Sequence, residues 1–130
     1  MKIVLGNIVD MAFAGELDVI VQGCNCFCRM ENGLAKTIAD RCPNAVNADN
    51  TTKVGDRTKL GTYTVGFQST DTGHQFAVVN GYIQFERRRT EGEDLVEYDA
   101  LRTALSGIKK EFAGFRIGLP LIGAGIACGN

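Results

Sequence analysis

The sequence predicts a single α/β domain over residues 1–130, built on a mixed β-sheet. Three observations carry that prediction. The chain is 45% apolar and 22% charged over 130 residues, which suits one domain with one core. Runs of β-branched residues closed by glycine recur along it, the pattern of strands buried on both faces. Between these runs lie segments whose apolar residues repeat at helical spacing.

Taken in order, Lys2-Ile3-Val4-Leu5-Gly6 reads as a first strand and Asp18-Val19-Ile20-Val21-Gln22-Gly23 as a second, more strongly apolar one. A loop from Cys24 to Asn32 leads into a helix over Gly33–Arg41, with Leu34 and Ile38 on one face and Pro43 as its stop. Leu60–Phe67 and His74–Ile83 flank the turn Ser69–Gly73 and form an antiparallel hairpin. Leu101, Leu105, Ile108 and Phe112 mark a helix over Ala100–Phe112, and Gly114–Ile122 is a last buried strand. The predicted order is β-β-α-β-β-α-β. The chain stops at Asn130, directly after the glycine-rich turn Gly123–Gly129, where an α/β unit would normally open a helix. An unfinished domain is therefore expected, truncated rather than completed by a partner.

Composition excludes several function classes. Fourteen Lys and Arg against 15 Asp and Glu give a net charge of −1, which disfavours a nucleic-acid partner held by a basic footprint. No run approaches the roughly 18 apolar residues of a membrane span, and no leader pattern opens the chain, so a cytoplasmic, membrane-free domain is expected. Cys24, Cys26 and Cys28 alternate, but C-x-C-x-C is not the C-x2-C spacing of a metal centre. No metal and no cofactor are expected, and the cysteines read as small apolar fillers. Cys24 to Arg29 is also one residue short of the C-x5-R loop of cysteine phosphatases. His74, the single histidine, reads as an exposed turn residue, and Arg87, Arg88 and Arg89 as a solvated basic loop rather than a phosphate clamp.

What remains is glycine, at 16 residues or about 12% against a usual 7% or so. Two glycine-bearing loops, Gly23 to Gly33 and Gly123 to Gly129, leave the ends of two apolar strands. In an open α/β sheet ligands bind at those carboxyl ends, and glycine lets backbone N–H groups approach phosphate oxygens. The second loop fits neither a dinucleotide fingerprint nor a P-loop, because Cys128 stands where the third glycine belongs and no Lys-Ser/Thr pair follows its glycines. The reading is a backbone-amide cradle for a phosphate-bearing ligand.

Val21-Gln22-Gly23-Cys24-Asn25-Cys26-Phe27, Gly33-Leu34-Ala35 and Leu119-Pro120-Leu121-Ile122-Gly123-Ala124-Gly125-Ile126 together resemble macro domains. The resemblance is closest to the small ADP-ribose-1''-phosphate-phosphatase-like branch of phages, bacteria and yeast. Asp56–Tyr63, Val78–Tyr82 and Tyr98–Leu101 extend it over essentially the whole chain. It implies a three-layer α/β/α sandwich with a mixed central sheet, lacking a closing C-terminal helix and strand that would follow Asn130, and a pocket for ADP-ribose or ADP-ribose 1''-phosphate. By that resemblance Asn25 meets the distal ribose and is the catalytic residue, with Gly23 and Cys24 beside it. Gly33, Leu34 and Ala35 match the loop that meets the diphosphate. Leu121, Ile122, Gly123, Ala124, Gly125 and Ile126 match the loop that cradles phosphates and ribose. Asn7-Ile8 stands where many macro domains carry Asp-Ile, and the Asn7 oxygen can still accept the adenine amino group.

The implied activity is hydrolysis of ADP-ribose 1''-phosphate to ADP-ribose and phosphate, with Asn25 orienting ribose and water. Two alternatives stand beside it. One is a non-catalytic ADP-ribose-binding module. The other is an ADP-ribosyl hydrolase acting on macromolecules, although Glu86 and Ala127 occupy the positions of its lysine nucleophile and aspartate.

Overall fold

The computed structural model describes residues 2–3, 7–31, 33–86 and 96–120. Its elements are β1 (Lys2–Ile3), α1 (Ile8–Phe13), β2 (Val19–Cys24), α2 (Gly33–Arg41), α3 (Pro43–Asp49) and a 3₁₀ turn (Arg57–Lys59). They continue with β3 (Tyr63–Ser69), β4 (Gln75–Tyr82), α4 (Tyr98–Glu111) and β5 (Ile117–Leu119). The strands form one mixed sheet in the order β1-β5-β2-β4-β3. β1, β5, β2 and β4 run parallel, with Val21 opposite Val79, and β3 lies antiparallel along β4 at one edge.

Why β2 and β4 read as unbroken apolar runs is plain from the two cores. Ile20, Phe76 and Val78 point to one face and pack with Ile8, Val9 and Ala12 of α1, Ile38 of α2 and Ala45 of α3. Val19, Val21, Ala77 and Val79 point to the other and pack with Ile108 of α4, Phe112, Ile117 and Leu119. Helices thus cover both faces, and each fully buried aliphatic side chain contributes about 1.5–3 kcal/mol. Gly66 is required by close packing: a Cβ there would sit 2.3 Å from the Asn44 carbonyl oxygen in α3.

The α/β class, the mixed sheet and the hairpin agree with expectation, while the element order needs correction. The chain runs β-α-β-α-α-β-β-α-β, because α1 and α3 were not anticipated. Pro43 does follow the end of α2, but it also opens α3 as its first residue, where its missing N–H costs nothing. α4 begins two residues earlier than expected, at Tyr98. Val4–Gly6, Leu121–Ile122 and the Gly123–Gly129 turn lie outside the described residues. No described helix is long and apolar enough to cross a membrane.

Candidate functional site

The parallel strands bring the carboxyl ends of β1, β5, β2 and β4 to one end of the sheet. There Gly23 pairs with Gly81 and Cys24 with Tyr82, and the chain turns from β2 into the loop that leads to α2. Asn25, 6% exposed, organises this loop. Its Oδ1 accepts from the Phe27 amide at 2.8 Å and its Nδ2 donates to the Arg29 carbonyl at 2.9 Å. A short amide side chain bridging its own turn in this way holds the loop closed. One Nδ2 hydrogen and one Oδ1 lone pair remain uncommitted by these bonds.

Gly33 opens α2 at φ 57°, with open space where a Cβ would be, so glycine serves conformation there and not packing. The first N–H groups of a helix lack intrahelical acceptors and face the positive end of its dipole. Leu34 is half-buried and packs against the core, so Gly33–Ala35 can offer a ligand backbone rather than side chains. Asn7, which follows β1 at the same end of the sheet, caps α1. Its Oδ1 accepts from the Val9 and Asp10 amides at 3.0 and 3.1 Å. Ile8 is 2% exposed and belongs to the core. Of the second loop, Leu121, Ile122, Gly123, Ala124, Gly125 and Ile126 lie outside the described residues, as do Ala127 and Arg87–Arg89. Glu86 is exposed, and its carbonyl accepts from the Gln84 side chain.

Beneath the Asn25 loop lies a buried polar cluster that sequence reasoning did not single out. Lys59, 6% exposed, donates to the Cys26 carbonyl at 3.0 Å and reaches the Cys28 Sγ at 3.6 Å. The Tyr82 hydroxyl donates to Asp49 Oδ1 at 2.7 Å and lies 3.0 Å from Thr64 Oγ1. Gln22 donates to Asn80 at 2.9 Å, and its Oε1 has no partner among the described residues. Burial pushes the Asp49 carboxyl above its ordinary range, against the Tyr82 hydrogen bond and the Lys59 charge, which lower it. Burial likewise raises the Cys24 and Cys26 thiols and the Tyr82 hydroxyl. Among the described residues no group of three His, Cys, Asp or Glu could hold a metal ion.

His74 corrects an expectation. It is half-buried, not exposed: its Nε2 lies 2.9 Å from the Leu17 carbonyl and its ring stacks on Phe76. It sits at the amino ends of the strands, away from the Asn25 loop.

No family model matches the chain. It is 35% identical over 136 residues to an uncharacterized 17.5 kDa protein in the tk-vs intergenic region of Enterobacteria phage T4, covering all of this chain and 82% of that one. Among solved structures it resembles a protein of unknown function from Bacteroides thetaiotaomicron, with a TM-score of 0.71 at 20% identity, covering 100% of this chain and 83% of that one. A second structure from the same organism aligns at a TM-score of 0.62 and 20% identity, over 82% of this chain and 70% of the other. These two likenesses concern the fold.

Proposed function

The chain belongs to the same family as the phage T4 17.5 kDa protein, and we propose that it is a cytoplasmic macro domain that binds ADP-ribose and hydrolyses ADP-ribose 1''-phosphate. The observation that carries this reading is the junction of β2 and α2. There the Asn25-closed loop sets a buried asparagine beside a helix opened by glycine, at the carboxyl end of a parallel sheet. Helices on both faces of a mixed sheet agree with a three-layer α/β/α sandwich. The macro-domain identity itself rests on the motifs at Val21–Phe27, Gly33–Ala35 and Leu119–Ile126.

In this reading the amides of Gly33–Ala35 meet the diphosphate, and Leu121–Ile126 supply the facing cradle. Asn25 turns its uncommitted Nδ2 hydrogen toward the distal ribose and holds the attacking water in line with the 1''-phosphorus. Water adds to phosphorus, the P–O bond to the ribose breaks, and the leaving oxygen takes the proton. Catalysis is positioning plus stabilisation of charge by backbone amides. The Asn7 oxygen already accepts two amides, so the adenine would meet the Asn7 side chain through its amide nitrogen.

A binding-only module is the second reading, favoured by one observation: both polar ends of Asn25 are engaged in its own loop. Phosphorus NMR of ADP-ribose 1''-phosphate incubated with the protein separates the two. The expected result is conversion of the monoester signal to inorganic phosphate with the diphosphate intact, slowed about 100-fold in Asn25→Ala. Line broadening without conversion assigns a binding module. A spectrum with no conversion and no broadening overturns the ADP-ribose pocket.

A further inference from the structure

The buried lysine and the thiol beside it have a chemistry of their own. Lys59 is enclosed at 6% exposure, and among the described residues no carboxylate forms an ion pair with it. Its Nζ is placed by the Cys26 carbonyl at 3.0 Å, and that carbonyl is itself pinned by the Gly55 amide at 2.7 Å. The Tyr82 ring closes another side, 4.9 Å away. What the amine faces next is Cys28 Sγ, at 3.6 Å.

Cys28 is held as firmly. It is the non-glycine residue with positive φ among the described residues, at 57°. Such a conformation costs free energy and persists only where the surroundings impose it. The thiol lies 3.4 Å from the Asp49 carbonyl and 3.4 Å from Thr52 Oγ1, in a residue that is half-buried. Cys24, Cys26, Cys28 and Cys42 are all free thiols. Amine and sulfur are thus held in direct hydrogen-bond contact at 3.6 Å, on two segments 31 positions apart in sequence.

We propose that Cys28 and Lys59 are a modification site, closed by peroxide into a covalent S–O–N cross-link and reopened by thiol reductants. The first hydrogen peroxide converts the thiol to a sulfenic acid, forming S–O and releasing water. A second oxidises the Lys59 amine to a hydroxylamine, forming N–O and releasing water together with the ammonium proton. The hydroxylamine oxygen then attacks the sulfenyl sulfur, whose hydroxide leaves with a proton as a third water. Sulfur and nitrogen each give up two electrons, and each peroxide accepts two. The bridge ties the loop that carries Asn25 to the 3₁₀ turn at Arg57–Lys59, so oxidation of the cell reaches the loop geometry directly.

The test is tandem mass spectrometry of the reduced full chain after hydrogen peroxide, with and without dithiothreitol. The expected product joins the Cys28 and Lys59 peptides at their summed mass plus one oxygen less two hydrogens. Trypsin no longer cleaves after Lys59, and dithiothreitol restores both peptides. Lys59→Arg and Cys28→Ser each lose the product; Cys28 is half-buried and serine keeps a hydroxyl toward Thr52, so the second variant reports even where the first misfolds. A single Cys28 peptide carrying one or more oxygens with Lys59 intact overturns the proposal. So does a disulfide from Cys28 to another cysteine, or an unchanged mass at peroxide levels that oxidise a free thiol.

Discussion

The two ends of the sheet use the same kinds of residue in opposite ways. At the amino end, Asp18 before β2 and Arg116 before β5 make a two-pronged ion pair. Arg116 Nε and Nη2 lie 3.0 and 2.9 Å from the carboxylate, and the Arg116 amide adds a bond at 2.8 Å. At the carboxyl end, Asp49, Lys59 and Tyr82 are 2%, 6% and 0% exposed and answer one another through single contacts. Charge at the amino end joins neighbouring strands at little desolvation cost. Charge at the carboxyl end is taken out of water, a costly arrangement when apolar residues of similar volume would pack there at least as well. The costly arrangement sits where open α/β sheets bind ligands, so burial of charge, not its amount, separates the two ends.

If that contrast is right, the largest effect comes from the buried end. Tyr82→Phe removes the donor to Asp49 Oδ1 and leaves a buried carboxylate without the hydrogen bond that favours its charged form. The expected cost is about 2 kcal/mol in urea unfolding at neutral pH. Its pH dependence follows from the sign of the shift. Asp49 is raised in the fold by burial, so folding binds its proton more tightly, and the variant raises it further. The deficit should shrink as pH falls through the carboxylate range, because a protonated Asp49 no longer needs the donor. An equal deficit at all pH values would mean that Asp49 carries no charge in the fold, and the contrast would fail.

Asp18→Asn is the matching substitution at the exposed end. Hydrogen bonding from the Arg116 side chain, with its backbone amide and charge, holds the Asp18 carboxyl at about 2 against an ordinary 3.8. A depressed carboxyl stabilises the fold above its unfolded value and loses that contribution as pH falls toward the folded one. The variant should therefore be less stable by about 1 kcal/mol at neutral pH, a small figure because the guanidinium faces water. Wild type and variant should converge between pH 3.8 and about 2. Added salt should narrow the gap here and leave that of Tyr82→Phe in place.

How much of this was legible in the sequence follows the range of the interactions. β2 and α2 were readable because their signals are local: an unbroken apolar run buried on both faces, then Leu34 and Ile38 on one helical face. α1 was missed because six residues give fewer than two turns, and its capping residue Asn7 was read for a ligand instead. Pro43 was read only as a stop, though proline ends one helix and begins another by the same missing N–H. Asn25 could be located by its motif, but no pattern reveals that its amide turns back on its own loop. The buried cluster was illegible for the opposite reason: Lys59 meets Cys26, and Asp49 meets Tyr82, across 33 residues each. Only the folded sheet brings those side chains together.

Asn7 tests whether place or burial marks function. It stands at the carboxyl end, after β1, yet it is exposed and caps α1. Asn7→Ala should cost about 0.5 kcal/mol in thermal or urea unfolding, the low end for a cap because α1 is short, and Asn7→Ser should restore it. ADP-ribose titration by calorimetry gives the second readout. Burial as the marker predicts that both variants bind within about twofold of wild type, since less than 0.5 kcal/mol is at stake in a group whose oxygen is already satisfied. A tenfold loss in Asn7→Ala that serine does not recover would show the adenine read by this amide. Position at the strand end would then mark the site, and the buried cluster would be a matter of structure alone.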